Sequence, residues 1–286
     1  MNRSKMMLKV CPFILAIFLL GACAHTDSFP VKTEKMIIPV KIDGKCYNLE
    51  GLLYSPIDGK GIHPLIIMTH GRNGPHPNIN YNEVYNYREL NTALAGKGFL
   101  VLMVVRRGYG NSDGPDSEYL ETAEASGLAG AEDIQAVADV MATKPSVDKS
   151  KVVIIGQSQG GWVSLACSTL GIPGLLGTIN ISGATNFQKA NDKSIRSSEV
   201  EDQLCAAAGI YGKSAKVPTL WIYAENDNHL PASVHKWFDT FLRAGGKGYL
   251  VIKPPYKNNG HSIVKVPALF IEDIMRFFKE IGFVRS

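Results

Sequence analysis

The 286-residue sequence is short of the features that mark metalloproteins, nucleic-acid-binding proteins and nucleotide-binding proteins. Its 7 histidines and 5 cysteines are scattered without the spacing of metal ligands, so we predict no metal and no other cofactor. Lys and Arg outnumber Asp and Glu by only 30 to 26, which argues against nucleic acid as a partner. The stretches GRNG and GQSQGG lack the Gly-Lys-Ser/Thr ending of a phosphate-binding loop. No repeat, low-complexity tract or clear linker occurs, which favours one continuous domain.

The N-terminus has the pattern of an export signal. MNRSKMMLKVCPFILAIFLLGAC begins with basic residues and continues with an apolar stretch too short to span a bilayer comfortably, so residues 1–22 are predicted to be a signal peptide. Its end, Leu20-Gly21-Ala22-Cys23, resembles the bacterial lipobox, in which the chain is cut before the cysteine and that thiol is lipidated. The alternatives are an ordinary cleaved signal and an uncleaved anchor. We expect an exported protein that a lipid at Cys23 anchors to a bacterial membrane, with residues 23–33 as a tether.

Removal of residues 1–22 would change the charge and the cysteine count. The formal net charge would fall from +4 to +1, and three unmodified cysteines would remain: Cys46, Cys167 and Cys205. An exported compartment permits one disulfide among them, and the sequence leaves the pairing open. Cys167 lies on the apolar face of a predicted helix, which favours a buried and inert thiol.

Residues 34–286 alternate between strand-like and helix-like segments, which predicts an α/β fold. EKMIIPVKI and CYNLEGLLYS alternate polar and apolar residues around Asp43-Gly44, as a β-hairpin does. Helices are predicted at roughly 83–97, 122–143, 159–170, 231–244 and 267–282. We therefore predict a doubly wound, mostly parallel sheet of about eight strands with an antiparallel start, and a small or minimal lid at 184–216. The later strands are short, almost uninterrupted apolar runs, as in a sheet buried on both faces: LIIMTH, FLVLMVV, VVIIG, LLGTINIS, TLWIYA and GYLVI.

Gly156-Gln157-Ser158-Gln159-Gly160 matches the pattern G-x-S-x-G. It directly follows the apolar run VVII and directly precedes a predicted helix, the setting in which this pattern presents a serine nucleophile. The alternative is that Ser158 only caps the helix.

A serine hydroxyl is a poor nucleophile unless a base takes its proton and an acid orients that base. His261 is the predicted base because it lies in a loop rich in Pro, Asn and Gly, after the last strand and before the final helix. The two other histidines after Ser158 are less suitable. His229 is too close in sequence to the predicted acid, and His235 lies in a predicted helix.

The acid and the oxyanion hole are predicted from loops after other strands. Asp227 follows TLWIYA and is the predicted acid, with Glu225 as the competing residue and a turn-forming role as the alternative. The backbone N–H groups of Arg72 and Gln159 are predicted to bind the oxyanion, and His70 to brace the loop.

Three further side chains lie in loops near the predicted site. The segment 106–118 is predicted to form one wall of the active site, with Arg107 and Tyr109 contacting substrate. The Arg72 side chain is expected to be solvated at the surface, although it could instead bind an acidic substrate.

Together these motifs resemble α/β-hydrolases, and more narrowly the dienelactone-hydrolase and prolyl-oligopeptidase-like branch of serine hydrolases. THGRNG, RRGYGNSDG, VDKSKVVIIGQSQGGW, YAENDNHLP and NGH follow one another in the family's order. The chain departs from the family in three ways. Serine stands where small dienelactone hydrolases have cysteine, a large N-terminal propeller is missing, and Gly-Arg-Asn-Gly replaces the His-Gly-Gly-Gly of many lipases.

The resemblance implies a serine hydrolase that cleaves an ester or related acyl bond of a small molecule through an acyl-enzyme, with Ser158, His261 and Asp227 as the triad. An exopeptidase-like amidase and a non-catalytic, surface-tethered binding protein are the alternatives. The oligomeric state stays open.

Overall fold

A computed structural model describes residues 28–72, 87–118, 120–185, 197–228 and 231–284. The predicted signal peptide and Cys23 lie outside the described residues, as do His229 and residues 186–196 of the predicted lid. The first strand begins at Val31, three residues before the predicted start of the domain.

Eight strands form one sheet in the order β1-β2-β4-β3-β5-β6-β7-β8. Strands β1 and β2 form the predicted hairpin around Asp43-Gly44, and β2 is also antiparallel to β4. The remaining neighbours pair in parallel, which confirms the predicted mostly parallel sheet with an antiparallel start. The strands are β1 Val31–Ile42, β2 Lys45–Pro56, β3 His63–Thr69, β4 Leu100–Val104, β5 Val147–Gln157, β6 Leu175–Ile181, β7 Thr219–Ala224 and β8 Gly248–Lys253.

Helices cover both faces of the sheet. The side chains of β3 show why its sequence is an uninterrupted apolar run: Leu65 and Ile67 join the core on one face, and Ile66 and Met68 join the core on the other. Helices α2 to α5 pack over the first core, and α1 and α6 over the second. The described α-helices are α1 Arg88–Ala95, α2 Ala123–Met141, α3 Gln159–Cys167, α4 Ser197–Ser214, α5 Pro231–Arg243 and α6 Ile271–Glu280.

The second half of the predicted lid is a helix of the core layer. Leu204, Ala207 and Tyr211 on α4 are buried, and α4 packs against α5 and α2. The polar segment before it hides this helix in the sequence, because Val200 is the one apolar residue among positions 196–203. Any lid role is therefore confined to the beginning of the predicted segment.

The last helix begins later than predicted. Pro267–Leu269 form a separate 3₁₀ turn, and α6 starts at Ile271. Because of this break, Leu269 does not share the buried face of α6 and is 39% exposed, whereas Ile274 and Phe278 are buried. None of the helices in the described ranges combines the length and apolar character needed to cross a membrane.

Candidate active site

Ser158 lies on a strained turn between β5 and α3. Its backbone has φ 56° and ψ −123°, a conformation that costs a non-glycine residue free energy and persists only where the surroundings enforce it. A Cβ atom on Gly156 would lie 1.9 Å from the Gly160 carbonyl oxygen, and one on Gly160 would lie 2.2 Å from the Thr69 carbonyl oxygen. The glycines therefore let α3 pack this closely against β5 and β3. The Ser158 side chain makes no capping hydrogen bond to the helix, so the alternative of a simple cap is wrong.

The structure brings Ser158, His261 and Asp227 together. In the chain, His261 is 103 residues from Ser158 and 34 residues from Asp227. The Ser158 hydroxyl lies 3.0 Å from Nε2 of His261. Nδ1 of His261 lies 3.1 Å from Oδ1 of Asp227, whose residue is only 3% exposed. Ser158 and His261 are half-buried, so a molecule from solvent can reach them while the carboxylate behind them is shielded.

Two asparagines fix the loops that carry Asp227 and His261. The Asn226 side chain accepts a hydrogen bond from the Tyr256 N–H at 2.8 Å, and its backbone carbonyl accepts one from Gly260 at 3.0 Å. Asn259 accepts a hydrogen bond from the backbone N–H of His261 at 2.9 Å and caps a 3₁₀ turn, Gly260–Lys265. Sequence reasoning did not give these asparagines a role. Their signal was their position beside the predicted acid and base, in ENDN and NNGH.

Glu225 and His235, the residues that compete with Asp227 and His261, lie elsewhere. Glu225 is exposed, and its backbone N–H donates to the Lys253 carbonyl at 2.9 Å. His235 is exposed on α5. Asp227 is thus the carboxylate that the structure brings to His261.

The segment predicted to bind the oxyanion lies against Ser158. A Cβ atom on Gly71 would lie 3.0 Å from the Ser158 Cβ, so the backbone that precedes Arg72 passes directly beside Ser158. Gln159 is the first residue of α3 and is buried, with its side-chain oxygen accepting a hydrogen bond from Thr185 at 2.6 Å.

The Arg72 side chain is not the solvated surface group that the sequence suggested. Its guanidinium pairs with Asp116 at 2.5 Å, and only 10% of the side chain is exposed. The partner is 44 residues away in the chain, in the segment 106–118. The ion pair therefore joins the loop beside Ser158 to the predicted wall of the site.

His70 braces the loop, as the sequence predicts. Burial, and then the nearby Arg106 charge, hold the pKa of His70 well below its usual range, so the ring is neutral. Its Nδ1–H donates to the Gly71 carbonyl at 2.6 Å, and its Nε2 accepts from the Arg106 N–H at 3.1 Å. Both ring nitrogens are used, which fixes the tautomer and the path of the chain at Gly71.

Residues 106–118 are held by buried charges. Arg106 and Glu118 form a fully buried ion pair, and Arg106 also donates to the His70 carbonyl at 2.7 Å. Arg107 pairs with Asp133 on α2 at 2.5 Å, and Tyr109 packs edge-on against His70. These contacts account for Arg107 and Tyr109 without a ligand, and their predicted contact with substrate stays a prediction.

The cysteines of the described residues are free. Cys46 is exposed, whereas Cys167 and Cys205 are buried. Burial raises the pKa of the Cys167 thiol, which keeps it protonated and unreactive, as expected from its helix position. Within the described part of the chain, no three His, Cys, Asp or Glu residues are grouped so that they could hold a metal ion.

Comparison with known proteins finds a family model that matches most of the chain. The model of the dienelactone hydrolase family matches residues 49–267, which include Ser158, Asp227 and His261.

Similar solved structures include both esterases and peptidases. Acetyl xylan esterase 1 from a Thermoanaerobacterium species is 20% identical with a TM-score of 0.55, over 88% of each chain. A Klebsiella pneumoniae protein assigned to the dienelactone hydrolases is 17% identical with a TM-score of 0.57, over 88% of this chain and 99% of the other. Pyrococcus horikoshii acylaminoacyl peptidase is 22% identical with a TM-score of 0.60, over 86% of this chain.

The match to the peptidase covers only 41% of that enzyme, so this chain spans about two fifths of its length. At these identities the structural matches establish the fold. They confirm the predicted α/β-hydrolase architecture, and together with the family match they support hydrolase activity in general.

Proposed function

Because the chain belongs to the dienelactone hydrolase family, we propose that it is a serine hydrolase that cleaves a carboxylic ester or related acyl bond of a small molecule. Ser158 is the proposed nucleophile, His261 the general base and Asp227 the residue that orients the base. The observation that carries this proposal is the continuous line of hydrogen bonds from Asp227 through His261 to Ser158.

The proposed reaction proceeds through an acyl-enzyme. Ser158 Oγ bonds to the substrate carbonyl carbon while its proton passes to Nε2 of His261. His261 then gives this proton to the leaving oxygen as the bond between that oxygen and the acyl carbon breaks. Water attacks the acyl-enzyme with His261 again as base, which releases the carboxylic acid and restores the Ser158 hydroxyl. Throughout, Asp227 accepts the Nδ1–H bond that holds the tautomer and stabilises the imidazolium.

The backbone N–H groups of Arg72 and Gln159 are the proposed donors to the oxyanion of the tetrahedral intermediate. The assignment is supported by the close passage of Gly71 beside Ser158 and by the position of Gln159 at the start of α3. The positive end of the helix dipole would add to this stabilisation.

Labelling with a fluorophosphonate tests the nucleophile. Such a probe phosphonylates an activated serine, and the modified peptide identifies the residue by mass spectrometry. We expect the label on Ser158 and none on Ser158→Ala. A folded wild-type protein that stays unlabelled and hydrolyses no ester would contradict the proposal and favour a non-catalytic binding protein.

An amidase is the second candidate, because the fold likeness extends to acylaminoacyl peptidase. Turnover of p-nitrophenyl acyl esters compared with aminoacyl p-nitroanilides separates the two. We expect the esters to be the better substrates, and faster turnover of the anilides would assign the amidase.

Anchoring to a bacterial membrane through a lipid on Cys23 is part of the proposal. Its support is the sequence around Leu20-Gly21-Ala22-Cys23. Cys23→Ala should abolish acylation, measured by mass, and move the protein out of the membrane fraction. An unchanged mass and fractionation would contradict the anchor.

A further inference from the structure

Gln157, which directly precedes Ser158, joins two loops that the proposed reaction needs. Its side chain is buried, at 6% exposure, and leaves the end of β5. The amide nitrogen Nε2 donates to the carbonyl oxygen of His261 at 3.1 Å. The amide oxygen Oε1 accepts from the Tyr87 hydroxyl at 3.0 Å. One side chain thereby touches both the backbone of the proposed base and a residue at the start of α1.

The Tyr87 hydroxyl continues this connection to the proposed oxyanion loop. It accepts a hydrogen bond from the Gly71 N–H at 3.1 Å, and Gly71 directly precedes Arg72. A backbone N–H can only donate, so the hydroxyl hydrogen is left to point at Gln157 Oε1. This order also fixes the Gln157 amide, with its oxygen toward Tyr87 and its nitrogen toward His261. The directed chain therefore runs from Gly71 through Tyr87 and Gln157 to His261.

The backbone conformation of Tyr87 indicates that its surroundings hold this residue in place. Its φ of 41° and ψ of 43° lie in the left-handed region, which is uncommon for a bulky residue. Such a conformation persists where surrounding contacts determine it. Gly71 fits the same arrangement, because a Cβ atom there would lie 2.9 Å from Gln157 Oε1.

We propose that Gln157 and Tyr87 are positioning residues that set the His261 loop and the Arg72 loop at fixed distances from Ser158. This inference rests on the proposed function. Proton transfer from Ser158 needs the imidazole within hydrogen-bonding distance, and oxyanion binding needs the N–H groups aimed at the developing charge. A glutamine that bonds both loops from the residue beside the nucleophile meets both needs at once.

Two substitutions test separately the link from Tyr87 to Gly71 and the link from Gln157 to His261. Tyr87→Phe removes the link to Gly71 and leaves the Gln157 bond to His261. Gln157→Glu keeps an acceptor for Tyr87 and removes the donor to His261. Tyr211→Phe is the matched control, because Tyr211 is also a buried tyrosine and its hydroxyl donates to the Glu124 carbonyl at 2.7 Å, away from these loops.

The measurements are the rate of fluorophosphonate labelling at Ser158, kcat and KM on a p-nitrophenyl ester, and the melting temperature. Tyr87→Phe and Gln157→Glu should slow labelling by about 10-fold or more and lower kcat with little change in KM, since misplacement acts on the transition state. Tyr211→Phe should lower the melting temperature comparably and label at the wild-type rate.

Labelling of Tyr87→Phe as fast as Tyr211→Phe would overturn the positioning role and leave the proposed function intact. A wild-type protein without label at Ser158 would instead remove both. If Gln157→Glu fails to fold, Tyr87→Phe alone decides the test.

Discussion

The two sides of the candidate active site are held by different kinds of interaction. Beside the ends of β3 and β4, the loops are fixed by buried or half-buried charges and by a neutral buried histidine. Beside the ends of β7 and β8, the loops that carry Asp227 and His261 are fixed by the amide side chains of Asn226 and Asn259, which bond backbone groups.

This difference separates stability from reactivity. Removing one member of a buried ion pair leaves a charge without compensation, which is costly for the whole fold. Losing one amide-to-backbone hydrogen bond costs only about 1 kcal/mol. The β3/β4 side should therefore be the fragile one for folding, and the β7/β8 side the sensitive one for catalysis.

The largest expected effect is on the β7/β8 side. Asp227→Asn should lower kcat by about 10⁴-fold, because an amide favours the wrong His261 tautomer. The melting temperature should change little. Steady-state ester hydrolysis measures kcat. The control is Glu225→Gln, which changes the exposed residue that competes with Asp227 and should keep wild-type activity. Equal losses of kcat in the two variants would contradict the role of Asp227.

On the β3/β4 side, Glu118→Gln should reduce the free energy of unfolding by about 3–5 kcal/mol, because it leaves the Arg106 guanidinium buried without a carboxylate. Urea denaturation measures this loss. The control is Glu132→Gln, because the Glu132 side chain is 49% exposed and pairs with Arg107, and a loss of about 1 kcal/mol or less is expected. A small loss in Glu118→Gln would mean that buried charge does not dominate this side.

The low pKa of His70 predicts a pH dependence of stability. The unfolded chain takes up a proton at His70 near pH 6.5, whereas the folded chain does not until much lower pH. Its stabilising contribution is therefore complete above pH 6.5 and falls by about 1.4 kcal/mol per pH unit below it. His70→Gln should flatten the slope of unfolding free energy between pH 6.5 and 5. An unchanged slope in His70→Gln would contradict the assignment.

The smallest effect is expected in the base loop. Asn259→Ala removes the acceptor for the His261 N–H and should cost about 1 kcal/mol of unfolding free energy, with a modest fall in kcat. The neighbouring Asn258 is exposed, and Asn258→Ala should behave as wild type in both assays. Chemical denaturation and ester turnover measure both variants. Equal unfolding free energies and equal kcat values in Asn259→Ala and Asn258→Ala would show that Asn259 does not hold the loop.

Much of this arrangement could be predicted from sequence because it depends on local patterns. Uninterrupted apolar runs identify the parallel strands, and the turn around Ser158 has a fixed glycine pattern. The loops of Asp227 and His261 could be found because their strands end in recognisable turns.

What could not be predicted depends on contacts between distant residues. The partners of Arg72 and Tyr87 lie 44 and 70 residues away, and no local pattern records such a pairing. The helix α4 was missed because its first two turns are mostly polar, although the helix packs against α5 and α2 in the core.

The close approach of Gly160 to the Thr69 carbonyl has a kinetic consequence. These residues are far apart in sequence and meet only once β3 and β5 have paired, so the strained turn at Ser158 cannot be held in a collapsed chain without that pairing. During refolding, capture of Ser158 by a fast covalent probe should therefore begin only once β3 and β5 have paired. The time at which Ser158 is captured would then report when these two strands pair.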